Sequence, residues 1–265
     1  MTREDVSGLL EAYNAQLRAH VHDRLPDSVR TEHDGPLLRT VGFGNRGWIE
    51  YRDIAGLDGE ELDVLIARQV RFFSERGERF EWKLHGHDRP ADLPERLGAA
   101  GFVAEDTETV VIGRVDAVAA EPRLPDGVVI REVREPECFA RIAELEESIW
   151  DRDHSWVDDL AAERDADPEG LRVFIAEAGD LTVCAGWVRF PSATEFVTLW
   201  GGATLPAWRG RGIYRALVAQ RATLAAERGR RYIEVDASDD SRPILERLGF
   251  VAVTTTTPYI WSPPR

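Results

Sequence analysis

The sequence predicts an α+β protein built from two related lobes. Three observations carry that prediction. From Val128 onward, apolar runs of strand length alternate with segments of helical spacing. A displacement of 152 residues lays one helix–turn–strand phrase on another. Between residues 196 and 228 a strand runs through a glycine-rich turn into a long helix.

The elements of the second half follow in order. Residues 128–133 read as a strand, and 135–150 as a helix with Phe139, Ile142, Leu145 and Ile149 on one face. A shorter helix over 156–168 ends near Pro168. Residues 171–179 and 182–190 form a strand pair around the turn Gly179-Asp180, and 196–204 is the next strand. Residues 212–228 make a long helix closed by Gly229. A strand over 232–238 places Ile233, Val235 and Ala237 on one face. Pro243 sits in the first turn of a short helix over 241–250, where its missing N–H costs nothing. Residues 250–261 finish the sheet as strands.

In the first half, 65–79 (LIARQVRFFSERGER) lies on 217–231 (LVAQRATLAAERGRR), with Leu, Ala, Glu, Arg, Gly and Arg coinciding. A strand-like run follows each, then LPERLGAAGF (93–102) or ILERLGF (244–250). The common order predicts a first lobe over 1–117, a linker over 118–126 where Pro and Ala replace periodic sequence, and a second lobe over 127–265.

Composition narrows the function classes. A chain that is 43% hydrophobic with a net charge of −15 can bury a core, and it repels nucleic acid and anionic membranes. Cys138 and Cys184 make neither a disulfide framework nor a zinc motif, so no metal is expected. The start lacks an apolar signal core, and no apolar run reaches the roughly 18 residues of a membrane span. The expectation is a cytoplasmic protein.

The motif with chemistry is PAWRGRGIYR at 206–215. Helix N-termini present unpaired backbone N–H groups and a positive dipole end. Gly210 and Gly212 let an anion approach the backbone, and Arg209, Arg211 and Arg215 concentrate positive charge in an acidic chain. The turn therefore reads as an anion site.

With its surroundings, the turn resembles the GNAT superfamily of N-acetyltransferases over residues 127–265. That family's Arg/Gln-x-x-Gly-x-Gly/Ala signature matches Arg209-Gly210-Arg211-Gly212-Ile213-Tyr214, with Tyr214 in place of the last small residue. Pro206 and Trp208 before the arginine and the closing Leu-Gly-Phe at 248–250 also fit. The resemblance implies a GNAT fold, a central mixed and mostly antiparallel sheet flanked by helices. It implies acetyl-coenzyme A as cosubstrate, in a V-shaped gap between the strands at 196–204 and 232–238. The pantetheine arm would pair with Gly202, Ala203 and Thr204, and the pyrophosphate with the N–H groups of 210–215. Ser238 stands where many members place an asparagine that contacts the cofactor.

Direct acetyl transfer needs a neutral amine, hence a base. Where some members carry a glutamate base this chain has Thr198, and where many carry a tyrosine acid it has Leu245. Asp236 and Glu234 share the non-core face of their strand, and Asp236 is the preferred candidate to hold a water near the amine. The family's acceptor pocket is usually roofed by the first two helices and their loop, here 150–156, which offers Trp150, His154 and Trp156 together with Asp151 and Asp153.

In the first lobe, 57–62 (LDGEEL) occupies the place of 209–214, and its carboxylates repel a diphosphate. This lobe is expected to be degenerate, shaping one side of the acceptor cleft. The expected activity is N-acetylation of a small-molecule or peptide amine by a monomer or homodimer that binds no nucleic acid and no membrane. The alternative is a non-catalytic acyl-coenzyme A-binding or regulatory module.

Overall fold

The computed structural model describes residues 3–21, 24–44, 46–150, 154 and 156–264. The first half contains α1 (Arg3–Gln16), β1 (Arg30–Asp34), β2 (Leu37–Phe43), β3 (Arg46–Glu50), α2 (Gly59–Arg76), β4 (Arg79–His85), α3 (Leu93–Ala99), β5 (Val103–Ala104), β6 (Glu108–Arg114) and α4 (Val115–Val118). The second contains β7 (Val128–Glu132), α5 (Pro136–Trp150), α6 (Trp156–Ala166), β8 (Leu171–Ala178), β9 (Leu181–Arg189), β10 (Phe196–Thr204), α7 (Ile213–Glu227), β11 (Tyr232–Ala237), α8 (Arg242–Arg247) and β12 (Val251–Trp261). A single 3-10 turn at Pro206–Trp208 leads into the loop before α7.

All twelve strands join one mixed sheet, ordered β1-β2-β3-β4-β12-β6-β11-β10-β9-β8-β7, with β5 beside β12. Among the described residues, only β3–β4 and β10–β11 pair in parallel. These are matching places in the two halves, each bridged by a crossover helix, α2 or α7. The helices keep the register of the sequence repeat: Gln69 of α2 and Arg221 of α7, 152 residues apart, are both buried polar side chains on their helix's core face.

Residues 250–261, expected to finish the sheet as strands, form the single strand β12, which does not lie beside β11. Instead β6, the final strand of the first half, pairs with β11 over Thr109–Arg114. β12 in turn pairs with β4 over Thr256–Trp261 and with β6 over Val251–Thr256. Each half thus completes the other's sheet. A strand of alternating pattern satisfies any neighbour of the right face, so periodicity cannot choose between own and exchanged pairing. The cores record the exchange. Val111, Val115 and Val118 pack among second-half residues such as Leu217, Val218 and Ile233. Trp261 packs with Phe73, Phe80 and Trp82 of the first half.

The shared sheet is also bent. Two strands, β12 and β6, separate β4 from β11. At roughly 4.8 Å per strand a flat sheet would hold β4 and β11 about 14 Å apart. Yet Lys83 Nζ of β4 forms an ion pair with Asp236 of β11, so this face is concave. Helix α1 lies along it, and Tyr13 packs with Val110, Ile112 and Phe196. No helix among the described residues is long and apolar enough to cross a membrane.

Candidate functional site

The anion turn is built as its glycines demand. Gly212 is the N-cap of α7 at φ 83°, and Gly210 has φ 74°. Both lie in the left-handed region, where a side chain costs backbone energy. A Cβ at Gly210 would meet nothing within 4 Å, so the space over the turn is open. Arg209 Nε donates to the Thr204 carbonyl at 3.1 Å, tying the turn to the end of β10. Arg211 stacks over Trp208 at 4.7 Å. Ile213 anchors the helix start in the core, while Arg211 and Arg215 stay exposed.

Directly before this turn the sheet parts. β10 and β11 pair only at Phe196–Tyr232, Val197–Ile233 and Thr198–Glu234. Beyond Thr198 the β10 edge, including Gly202, Ala203 and Thr204, has no partner strand on that side among the described residues. Gly201 (φ 72°) and Gly202 (φ 99°) turn the chain, and the β9 pairing slips between Gly201 and Thr204. Behind this kink lies Arg221, almost fully buried, which donates to the Trp187 and Trp200 carbonyls at 3.0 Å each. A Cβ at Gly186 would come within 2.9 Å of its Nη1, so that glycine makes room for the guanidinium. An arginine inside a helical pattern reads as solvent-facing, and for that reason the sequence did not single it out. The bare edge and the open helix N-terminus together fit an acyl-coenzyme A.

Tyr214 and Ser238 flank the same gap. The Tyr214 ring lies where a Gly202 side chain would go, 2.4 Å from its hypothetical Cβ, and its hydroxyl bonds to Ser241. Burial raises the Tyr214 pKa. Ser238 Oγ faces Ser241 Oγ at 3.2 Å, turned toward the start of α8. Leu245 is fully buried.

Where the strands part, a small cleft opens on the concave face. It is lined from both halves. Thr198, Trp200, Arg189 and Glu234 come from the second, and Tyr13, Arg18, Glu50, Tyr51, Lys83 and His85 from the first. Thr198 and Glu234 are the last paired residues before the gap, so the cleft and the gap meet there. Thr198 accepts a hydrogen bond from Trp200 Nε1 at 2.7 Å, which fixes the indole. Lys83 and Arg189 approach that ring at 5.6 and 5.1 Å.

The electrostatics are dominated by buried carboxyls. Burial, then the Asp236 charge, pushes Glu234 well above the usual carboxylate range. Burial also raises Glu50 and Glu81. Asp236 is held by Lys83 and is hydrogen-bonded to the neighbouring Glu234 carboxyl. It lies behind Lys83 and is not itself a lining residue. Tyr13 bonds to His85 at 2.8 Å. Burial, then the Arg18 charge, pushes His85 down to about 2, so it is neutral.

Glu108 belongs to the same row, raised to about 7 by burial and then by Asp236. A carboxyl raised on folding stabilises below its unfolded pKa, and that contribution is lost as pH climbs through the folded value. Glu108→Gln should therefore raise thermal stability at pH 8, by about 1–2 kcal/mol, and change it little at pH 4. Melts at the two pH values check this.

The residues expected to roof an acceptor pocket lie away from this cleft. His154 is buried and accepts from Trp156 Nε1 at 3.2 Å, and Trp156 packs on Trp187 at 5.3 Å. Trp150 is about half exposed at the end of α5. None of the three lines the cleft, because α6 packs Trp156 inward against β9. Asp151 and Asp153 lie outside the described residues. The residues that sequence reading missed, Tyr13, Arg18, Glu50 and Lys83, come from the first half and meet the second only through the exchanged sheet.

At the start of α2, Asp58 is the N-cap and Glu60 and Glu61 occupy the first turn. That helix start is acidic where α7 is open.

Residues 135–250 match the model of the acetyltransferase (GNAT) family. No curated protein matches the chain. Among solved structures it is similar to a GCN5-related N-acetyltransferase from Kribbella flavida, at 16% identity and TM-score 0.64 over 99% of this chain and 95% of that one. A tandem GNAT protein from the clavulanic acid biosynthesis pathway aligns at 14% identity and TM-score 0.63, over 99% and 96%. A GCN5-related N-acetyltransferase from Sphaerobacter thermophilus aligns at 13% identity and TM-score 0.63, over 86% and 76%.

Proposed function

This chain carries a domain of the acetyltransferase (GNAT) family over residues 135–250, and from that premise we propose that it transfers acetyl from acetyl-coenzyme A to an amine in the cleft between its halves. One observation carries the reading. The strands β10 and β11 part at Thr198 and Glu234, and those two residues also line the cleft. A thioester laid along the bare β10 edge would end at the cleft floor, with its pyrophosphate on the open N-terminus of α7.

In this reading Gly202, Ala203 and Thr204 hold the pantetheine arm by backbone pairing. Gly210 to Arg215 hold the pyrophosphate, and Arg209 braces the turn. The amine nitrogen attacks the thioester carbonyl carbon, a C–N bond forms, the C–S bond breaks, and coenzyme A leaves as its thiolate. The amine's proton goes to the ionised form of Glu234, whose pKa burial and then the Asp236 charge raise, making it a stronger proton acceptor than an exposed carboxylate. Asp236, with Lys83, sets the field around Glu234, and Thr198 positions Trp200. The first lobe is silent toward coenzyme A and supplies a wall of the acceptor cleft.

The buried Leu245, which has no proton to give, favours a second reading, an acyl-coenzyme A-binding module without turnover. Thermal melts with acetyl-coenzyme A, followed by thiol release with a panel of amines, separate the two. A shift with turnover supports the enzyme. A shift without turnover on any amine supports the module, and no shift at millimolar cofactor removes both.

A further inference from the structure

Arg18 sits in the turn after α1 on the wall of the cleft, 6% exposed. Its position is fixed. Nη1 pairs with Asp88 Oδ1 at 2.7 Å and lies 3.3 Å from His87 Nε2. The guanidinium lies over the Tyr51 ring at 5.2 Å. Asp88 is held in turn by the Tyr51 hydroxyl at 2.7 Å and the His85 backbone N–H at 2.8 Å. The next residue, Ala19, is kept at φ 54°, a conformation that a non-glycine residue adopts only when its surroundings impose it.

Within this brace, Nε and Nη2 are buried and have no hydrogen-bond partner among the described residues. Those two nitrogens form the side edge of the guanidinium, with parallel N–H bonds spaced to meet both oxygens of one carboxylate. Buried donors are nearly always satisfied, so an orphaned fork beside a cleft points to a group that arrives with the ligand. The other cations lining the cleft are committed: Arg189 grips Glu163 with two bonds, at 2.6 and 2.7 Å, and Lys83 holds Asp236. Glu50 and Glu234 in the same lining offer carboxyl oxygens as hydrogen-bond acceptors for an amine.

We propose that the acceptor is an amine that also carries a carboxylate, an amino acid or a small amino-acid-like molecule, and that the Nε/Nη2 edge of Arg18 receives that carboxylate. The inference rests on reading the cleft as the acceptor site. It adds a substrate class, and it makes the first lobe the source of specificity.

The test compares matched probes on the full-length protein by calorimetry and by thiol release. The probes are the L-amino acids, β-alanine and γ-aminobutyrate, each against its carboxamide or decarboxylated amine, with O-phosphoethanolamine added. At least one carboxylate-bearing member should bind tenfold or more tightly than its uncharged partner. Arg18→Lys keeps a charge for Asp88 but loses the fork, and should erase that preference, raising KM tenfold or more with kcat within a few-fold. The double variant Arg18→Gln/Asp88→Asn, which leaves no orphan charge, should behave alike. Equal binding of the uncharged partners, a preference that survives both variants, tighter binding of O-phosphoethanolamine than of every carboxylate, or no binding at all overturns the proposal. Arg18-dependent binding without any acetyl transfer would sink the enzymatic reading and leave only the carboxylate site at Arg18 standing. Acetylation of uncharged amines, indifferent to Arg18, would do the reverse.

Discussion

Gly212→Glu is expected to abolish stabilisation by acetyl-coenzyme A, weakening binding at least about 100-fold. Gly212 caps α7 in a left-handed conformation, and the first-turn N–H groups beyond it have no intrahelical partners. A carboxylate there would bond those N–H groups itself and face a diphosphate. Two like charges about 5 Å apart near a protein surface repel by about 3 kcal/mol, enough for a 100-fold loss. Backbone strain alone costs about 1–2 kcal/mol, and Gly212→Ala carries that strain without the charge. The alanine variant should keep measurable binding, and the difference between the two isolates the electrostatic part. The chain already holds the comparison, since α2 starts with Asp58, Glu60 and Glu61. Titration calorimetry reads the result. Wild-type affinity in the glutamate variant would place the pyrophosphate elsewhere.

Glu234→Gln is expected to lower kcat about 100-fold while cofactor binding persists. The substitution keeps the shape of a fully paired strand residue and removes the proton acceptor at the point where β10 and β11 separate. The pH profile adds a second readout. Burial raises the Glu234 pKa, so the active, ionised form appears only above the ordinary carboxylate range. Wild-type kcat should therefore rise with pH along a limb displaced upward from that range, and the glutamine variant should lose that limb. The stability sign is opposite. Ionising a carboxyl raised on folding costs stability, so Glu234→Gln should be no less stable than wild type at pH 8. A variant that turns over normally would assign the proton to another group.

How much of this was legible in the sequence depends on the range of the interaction. The α7 turn was legible because its requirements are local. Two glycines need positive φ, a helix start leaves N–H groups open, and arginines cluster within seven residues. The helix and strand order of 128–261 was legible for the same reason, being written in the periods of 3.6 and 2. Arg221 was missed because a polar residue at a core-facing helix position breaks the pattern by which helices are read. His154 and Trp156 were expected in the acceptor pocket because aromatic and acidic residues share a loop; α6 instead turns Trp156 onto Trp187.

By itself the sequence determined that this protein has two related halves and that one helix start is open to an anion while its counterpart is closed by carboxylates. Those are matters of composition and short spacing. Tertiary structure alone decided that β6 and β12 change places, that the shared sheet curls until Lys83 meets Asp236, and that Tyr13, Arg18 and Glu50 face Glu234 across one cleft. Strand pairing is chosen by the whole sheet, because an alternating strand fits more than one neighbour. The residues proposed to choose the acceptor are therefore far apart in sequence from those proposed to hold the donor.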